Sequence, residues 1–437
     1  LRDSYRARAD ALSAAVALLE QQVNSLKEMA ERPAERDARI RDITGVTFTK
    51  KNVHFMSTWD EIGWVEMIYE KLKASHIEIN KRLLYAFHTS LKTAEWSPIT
   101  VLAGVSGTGK SLLPKLYARF GGFYFLSLAV QPDWDSSQSL FGFFNALDNK
   151  FNATRLLSAM VQFQHEDSEE NLSDSMMIVL LDEMNLAHVE LYFSELLSKL
   201  EDRRGEEREV CIDVDLGSGL AKYEVKLSRN ILWVGTMNED ETTKSLSDKV
   251  IDRSNMLSFP SPKEFARRTT AGFAPESGEM LKKDQWEHWI QNAIKFDEQD
   301  EIILKYKSAV EEINKCLNQV GRALGHRVWQ AVENYISSHP YCIYTYQHRE
   351  DEPEQYENAV GSAFEEAVVY KIMPKLRGIE ITPETKQHCF DPISRILNEH
   401  AEGIVNDYQT ALREDQFVWR TSSYLNAEEM VTGETNE

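Results

Sequence analysis

The sequence predicts an α/β fold in which helices flank a parallel sheet, followed by a mainly helical region. Three observations support this prediction. Short apolar segments alternate with amphipathic helices between residues 96 and 262, helical patterns dominate beyond Pro260 and Pro262, and a heptad occupies the first thirty residues. Strands separated by helices pair in parallel, because the crossover helix returns the chain to the same edge of the sheet.

Four apolar segments are predicted as core strands and one further segment as a hairpin. The strands are ITVLAGV, FYFLSLAV, MMIVLLDE and NILWVGTMN. The hairpin is EVCIDVDLGSGLAKYEVKL, with Gly217 and Gly219 at its turn. These mainly apolar segments are expected to be buried core strands of a parallel sheet.

The first thirty residues predict a coiled coil, with an amphipathic helix that lies on its own domain as the alternative. One seam position holds Tyr5, Leu12, Leu19 and Leu26, and the other holds Ala9, Val16, Val23 and Ala30. A period of 3.5 residues with valine at a and leucine at d favours pairing with another helix. Pro33 is expected to end this helix.

The composition excludes several classes of function. A chain of 437 residues fits two or three domains, and its net charge of −21 opposes non-specific binding to DNA or to an anionic membrane. No apolar run approaches the roughly 18–20 residues that span a bilayer. The four cysteines lie far apart without a CxxC pair, so a zinc site is not expected and a reducing, cytoplasmic compartment is.

Residues 104–111 read G-V-S-G-T-G-K-S and match the phosphate-binding pattern G-x-x-x-x-G-K-[ST]. The glycines allow successive N–H groups to face inward, and the helix that begins near Lys110 directs its positive dipole end to the same point. Lys110 is expected to reach the β- and γ-phosphates, and Ser111 to bind Mg²⁺. The predicted cradle is Gly104, Val105, Ser106, Gly107, Thr108, Gly109, Lys110 and Ser111. Its place between strand and helix favours nucleotide binding over an ordinary turn.

A second predicted element is Asp182-Glu183, at the end of the strand MMIVLLDE. At this place Asp182 is expected to hold the metal through water, and Glu183 to polarise the attacking water. Alone, such a pair is more often a charged strand end. Beside a phosphate loop, the catalytic interpretation is favoured.

Two further candidates follow along the chain. Asn238 ends the strand NILWVGTMN and is expected to help orient water on the γ-phosphate side, whereas an isolated asparagine there is usually a turn or cap residue. Arg253 comes fifteen residues later, too far along to reach its own phosphates easily. It is predicted to act on a neighbouring subunit as an arginine finger, with a surface salt bridge as the alternative.

These four elements, in this order, resemble an AAA+ ATPase module, and the segments between them are similar to the McrB family of restriction-system motors. The similar segments, which lie between about Ser90 and Gly378, are LAGVSGTGKS, PDWDSSQSLFGFFNAL, LDEMNLAHVELYFSELLSKLE, GTMNEDETTKSLSDKVIDRS and KIMPKLRG. The resemblance implies a homo-hexameric ring that hydrolyses GTP or ATP with Mg²⁺ at its subunit interfaces, in bacterial or archaeal cytoplasm. It also implies a separate McrC-type PD-(D/E)xK nuclease as partner, through which nucleic acid is engaged in anti-phage defence.

The resemblance assigns roles to residues that match the family motifs. Gly104, Gly109, Lys110 and Ser111 match the phosphate loop, Asp182 and Glu183 the Walker B pair, and Met237-Asn238 the start of a Met-Asn-x-x-Asp signature. Glu241 replaces the aspartate of that signature, with Asp240 beside it, so the motif does not decide between GTP and ATP. Arg253 falls near the family's finger. Arg327 is a candidate sensor in the helical lid, with a buried structural arginine as the alternative.

The predicted domains are a coiled-coil helix (1–36), a helical linker or amino-terminal part of the motor (37–95), an AAA+ α/β nucleotide-binding domain (96–262) and a helical lid (263–437). Two other interpretations of the whole chain stay open. A MoxR-like remodeller would apply the same machinery to protein clients. A degenerate, nucleotide-bound scaffold would have lost catalysis, which the intact Lys110, Asp182, Glu183 and Arg253 disfavour.

Overall fold

The computed structural model describes most of the chain and shows an α/β body followed by a helical region. The described residues are 12–13, 15–23, 33–50, 54–56, 60–164, 169–205, 209–217, 220–238, 244–260, 273–274, 278–297, 299–419 and 422–426. The strands are β1 (His54–Phe55), β2 (Ile99–Gly104), β3 (Tyr124–Ala129), β4 (Gly142–Asn145), β5 (Lys150–Ala153), β6 (Met177–Asp182), β7 (Cys211–Val214), β8 (Tyr223–Lys226), β9 (Ile231–Asn238), β10 (Ser254–Ser258) and β11 (Glu279–Met280).

The α-helices before the long helical region cover the faces of the sheet. They are α1 (Pro33–Ile43), α2 (Glu61–Ala74), α3 (Lys81–Lys92), α4 (Leu112–Gly121), α5 (Gln138–Phe141), α6 (Arg155–Gln162), α7 (Val189–Tyr192), α8 (Ser194–Asp202) and α9 (Asp248–Asp252). Those that follow β11 are α10 (Lys283–Gln291), α11 (Glu301–Gln319), α12 (His326–Ser338), α13 (Pro340–Gln347), α14 (Pro353–Ala367), α15 (Met373–Leu376), α16 (Pro383–Thr385), α17 (Asp391–His400) and α18 (Val405–Ala411). Two π-helical turns, Val368–Ile372 and Lys386–Phe390, lie within this later region.

Five strands form a parallel sheet in the order β10-β2-β9-β6-β3. The predicted fold class is therefore confirmed: a parallel sheet, flanking helices and a helical carboxyl-terminal region. The four predicted core strands are β2, β3, β6 and β9, and the predicted hairpin is β7–β8. Strand β10 and the hairpin β4–β5 were not predicted, because β10 is a short segment directly after a helix and β4–β5 lacks a glycine-marked turn.

The two faces of the sheet belong to two different apolar cores. One face packs with α2, α3, α4 and the helices after β11, and its sheet residues include Leu102, Ile178, Leu180, Leu232, Val234 and Leu257. The opposite face packs with α1, α6, α7 and α8, and its sheet residues include Val101, Val179, Leu181 and Trp233. The carboxyl-terminal helices therefore share a continuous core with the sheet, which fixes their position against it.

Part of the amino-terminal heptad lies within the described residues. Residues 15–23 are helical, and Leu12, Val16, Leu19 and Val23 are all exposed. The other seam residues, Tyr5, Ala9, Leu26 and Ala30, lie outside the described residues, and the coiled coil stays a prediction. Among the residues that are described, no helix is both long and apolar enough to cross a membrane.

Candidate nucleotide site

The phosphate loop connects β2 to α4, as the sequence predicts. Gly107 and Gly109 have φ angles of 83° and 95°, in the left-handed region that glycine adopts without strain. A Cβ atom at either position would meet nothing within 4 Å, so conformation rather than crowding requires glycine there. Gly104 is constrained differently, because its Cβ would lie 2.9 Å from the carbonyl oxygen of Phe259. Helix α4 begins at Leu112, two residues after Lys110.

The lysine of the loop lies inside it. The Lys110 side chain is buried, and its Nζ donates to the carbonyl oxygens of Gly104 at 2.9 Å and of Val105 at 2.6 Å. Thr108 Oγ1 donates to the same Val105 carbonyl at 3.0 Å, while Val105 and Ser106 form the exposed side of the loop. The ammonium group is therefore held within the loop, against the carbonyl oxygens at its beginning.

Asp182 lies beside the loop and is held by two hydroxyl groups. Its Oδ1 accepts a hydrogen bond from Ser111 Oγ at 2.6 Å and another from Thr236 Oγ1 at 2.7 Å. The two residues predicted to bind metal, Ser111 and Asp182, are thus in direct contact although 71 residues separate them. The contact brings a hydroxyl oxygen and a carboxylate oxygen together at the start of α4.

These oxygen donors fit Mg²⁺. The ion favours oxygen ligands, keeps several waters and usually takes only one or two protein side chains besides substrate phosphates. Ser111 and Asp182 supply such a pair. The described residues contain no cluster of three or more His, Cys, Asp or Glu side chains suited to a metal, and a phosphate-associated Mg²⁺ does not need one.

Glu183 follows Asp182 in a strained backbone conformation. Its φ and ψ are 55° and 48°, a left-handed conformation that is uncommon for a residue other than glycine. The backbone N–H of Glu183 donates to Thr236 Oγ1 at 2.8 Å, and its Oε1 accepts from Asn238 Nδ2 at 3.2 Å. The side chain is exposed. A carboxylate so oriented is available to a water molecule and is held from one side by an amide.

The parallel register explains why these groups meet. Gly104 pairs with Asn238 across β2 and β9, and Leu181 pairs with Gly235 across β6 and β9. The loop, the acidic pair and Asn238 therefore lie at the carboxyl ends of three adjacent strands. We refer to residues 104–111, Asp182, Glu183 and Asn238 as the phosphate edge. Asp240 and Glu241, which bear on the base preference, lie outside the described residues.

Arg253 lies at the opposite edge of the sheet from the phosphate loop, where the parallel strands β10 and β2 begin. It follows α9 directly and precedes Ser254, which pairs with Ile99 at the beginning of β2. The phosphate loop starts five residues further along β2, a distance of about 16 Å at about 3.3 Å per residue. This exceeds the reach of an arginine side chain, so Arg253 cannot contact a phosphate held by its own loop.

Glu201, near the end of α8, joins Arg253 to the other candidate arginine. Arg253 Nε donates to Glu201 Oε2 at 2.6 Å and Nη1 donates to the carbonyl oxygen of Lys249 at 3.2 Å, and within the described residues no hydrogen bond involves Nη2. Arg327, in the first turn of α12, forms an ion pair with Glu201 Oε1, and its side chain is 64% exposed. We refer to Glu201, Arg253 and Arg327 as the arginine edge.

Sequence reasoning did not single out two residues that organise the site. Thr236 links Asp182 to Glu183, and the only signal for it is a hydroxyl residue two positions before Asn238 in a buried strand. Glu201 is one of several acidic residues in the segment KLEDRRGEERE, and nothing in that pattern distinguishes it. Both residues act through contacts between elements that are distant in sequence.

Comparisons with known proteins cover parts of this architecture. A family model described as a domain of unknown function, DUF8727, matches residues 279–423. No curated protein matches the chain. The chain is similar to a candidate ATPase from Cytophaga hutchinsonii ATCC 33406, at 14% identity and a TM-score of 0.42, over 68% of this chain and 86% of that one. It is also similar to a full-length MCM homologue from Methanopyrus kandleri, at 10% identity and a TM-score of 0.41, over 74% of this chain and 64% of that one. Similarity at these TM-scores does not indicate an activity.

Proposed function

We propose that this chain is an AAA+ NTPase that hydrolyses ATP or GTP with Mg²⁺ between neighbouring subunits of a ring. The observation that carries the proposal is that the predicted catalytic residues lie at two opposite edges of one sheet. The phosphate edge holds the loop, Asp182 and Glu183, whereas Arg253 lies about 16 Å away along β2. An arginine in that position serves a nucleotide only if the nucleotide is bound to another subunit.

Each residue of the phosphate edge then has a distinct task. Lys110 and the N–H groups of the loop bind the phosphates, and Ser111 and Asp182 hold the metal. Mg²⁺ held by Ser111 and Asp182 would supply positive charge that stabilises the charge developing on the phosphates. Glu183 orients the attacking water and accepts its proton, and the hydrogen bond from Asn238 Nδ2 fixes the carboxylate in place.

We further propose that the ring is a homo-hexamer that drives a McrC-type nuclease, which engages the nucleic acid. Support comes from the segments that follow Asp182-Glu183 and Asn238, which are similar to the McrB family over continuous stretches. The net charge of −21 is consistent with nucleic acid being engaged through a partner rather than through a broad basic surface of this chain.

The test is phosphate release from ATP and from GTP by the full chain, with Mg²⁺ or with EDTA, and with or without a McrC-type nuclease, where a neighbouring gene encodes one. We expect Mg²⁺-dependent hydrolysis, stimulation by the nuclease, and DNA cleavage only when the ring hydrolyses nucleotide. Lys110→Ala should abolish nucleotide binding, whereas Lys115→Ala, an exposed lysine on α4, should have no effect. Failure of the intact protein to hydrolyse either nucleotide would contradict the NTPase proposal. Stimulation by a protein client and not by the nuclease would favour a remodeller.

A further inference from the structure

The carboxyl-terminal helical region contacts the residues that directly precede and directly follow Arg253 in the chain. Lys371, in the π-helical turn Val368–Ile372, donates from Nζ to the carbonyl oxygen of Ser254 at 2.7 Å. Lys375, one turn later, forms an ion pair with Asp252 and lies 3.8 Å from Asp248. The residues immediately before and after Arg253 are thus each bound by a lysine from the same short stretch.

Packing alone does not account for this arrangement. Lys371 is only 3% exposed and Lys375 only 7%, and burying an amine is costly unless it is well partnered. An aliphatic side chain would fill the same volume without that cost. π-Helical turns such as Val368–Ile372 are rare and often occur at functional sites. Here the turn directs Lys371 toward the beginning of β10.

We infer that Lys371 and Lys375 position Arg253, so that the carboxyl-terminal region determines how this arginine enters a neighbouring site. The inference depends on the proposed function, in which Arg253 acts on another subunit. Neither lysine touches the nucleotide in this arrangement, so both are positioning residues. The inference also gives a task to the region matched by the family model of unknown function, which spans residues 279–423.

The first experiment measures hydrolysis by Lys371→Met and Lys375→Gln in the full chain. A misplacement of about 1 Å can reduce a rate by about 10²-fold, so we expect kcat to fall between about tenfold and 10²-fold. KM and nucleotide affinity should not change, because the phosphate edge is intact. Lys386→Met is the matched control, since Lys386 also lies in a π-helical turn but is exposed, and it should retain wild-type kcat. Loss of nucleotide affinity by Lys371→Met would instead indicate a general structural role.

The second experiment combines Lys371→Met with Arg253→Ala. If Lys371 acts only through Arg253, the double variant should be no slower than Arg253→Ala alone. Additive losses would overturn the inference. In addition, mixing Lys371→Met subunits with Lys110→Ala subunits should restore activity, because one subunit supplies the loop and the other the correctly placed arginine. A variant that had lost its fold would not recover on mixing.

The outcomes separate this inference from the proposed function. If Arg253→Ala hydrolyses nucleotide at the wild-type rate, the proposed function fails. If Arg253→Ala is impaired but both lysine variants keep the wild-type kcat, only the present inference fails. Should Lys371→Met not fold, Lys375→Gln and Lys375→Arg decide the matter. The arginine variant retains the charge opposite Asp252 and should keep most activity, and equal kcat values for the two variants would overturn the inference.

Discussion

The phosphate edge and the arginine edge of the sheet are built in different ways. At the phosphate edge, the loop after β2 and the carboxyl ends of β6 and β9 place the functional groups, and the strand register fixes their spacing. Around the arginine edge, long side chains from α8, α12, the end of α9 and the segment around Lys371 converge through ion pairs and a hydrogen bond to the backbone. One edge is therefore determined mainly by local backbone geometry and the other by tertiary contacts.

This difference indicates which functions a single subunit can perform and which need two subunits. In the proposed function, the groups that hold the phosphates, the metal and the attacking water all lie at the phosphate edge of one subunit. The arginine edge places two arginines around the one carboxylate of Glu201. Because Arg253 cannot reach its own phosphate loop, this edge is suited to the phosphate edge of another copy. Nucleotide binding should therefore be a property of one subunit, and hydrolysis a property of two.

The largest expected effect concerns Arg253, whose removal should impair hydrolysis and leave nucleotide binding intact. Arg253→Ala should lower kcat by about 10³–10⁵-fold, as in other arginine-finger systems, without weakening nucleotide binding. Steady-state hydrolysis and a nucleotide titration measure the two quantities. Mixing Arg253→Ala with Lys110→Ala subunits should recover activity in proportion to the intact interfaces. Weakened nucleotide binding in Arg253→Ala would show that the two edges are not independent.

The next effect concerns the phosphate edge alone. Glu183→Gln should reduce turnover by about 10²–10⁴-fold while nucleotide binding persists, because only the activation of water is lost. Lys110→Ala should instead lose nucleotide affinity, because the phosphates lose their cation. Single-turnover hydrolysis and equilibrium binding distinguish these outcomes. If Glu183→Gln turns over like the wild type, Glu183 is not the residue that activates water.

The contrast between the edges also explains what the sequence could predict. The phosphate loop and Asp182-Glu183 are recognisable because adjacent residues in one strand and one turn create the function. Asn238 is recognisable only once the fold is assumed. The contact of Glu201 with Arg253 and Arg327 joins residues that are 52 positions or more apart, and no local pattern encodes it. Strand β10 was missed for a similar reason, because its burial comes from β2 and the carboxyl-terminal helices.

A smaller effect is expected for Arg327, the second arginine of the arginine edge. Because Arg327 and Arg253 bind the same carboxylate, both should serve the same neighbouring nucleotide. Arg327→Ala should lower kcat by about 10- to 10²-fold, the loss expected for one hydrogen bond to a charged group. Mixing Arg327→Ala with Arg253→Ala subunits should give no recovery, since every interface lacks one arginine. Recovery would show that Arg327 acts on its own subunit's nucleotide, as in a sensor of the lid.

The smallest expected effect is on stability and concerns Lys371. Burial lowers the pKa of Lys371 from 10.5 to about 7, Asp252 opposes this shift, and the positive charges of Arg204 and Lys375 add to it. Between pH 7 and about 10.5, the unfolded chain therefore holds a proton on this amine that the folded chain lacks. The free energy of unfolding should rise with pH across that window, by up to about 1.4 kcal/mol per pH unit. Below pH 7 both states are protonated and this contribution stops changing.

Lys371→Met removes this titration and should remove its share of the pH dependence. The measurement is urea unfolding of the wild type and the variant at pH 7.5, 8.5 and 9.5, with Lys386→Met as the control. The wild type should gain stability relative to Lys371→Met as the pH rises, whereas Lys386→Met should follow the wild type. If the wild type and Lys371→Met keep a constant difference from pH 7.5 to 9.5, the amine is not held in an apolar environment. The arginine edge would then be as solvated as the phosphate edge, and the structural contrast between the two edges would be weaker than the contacts of Lys371 indicate.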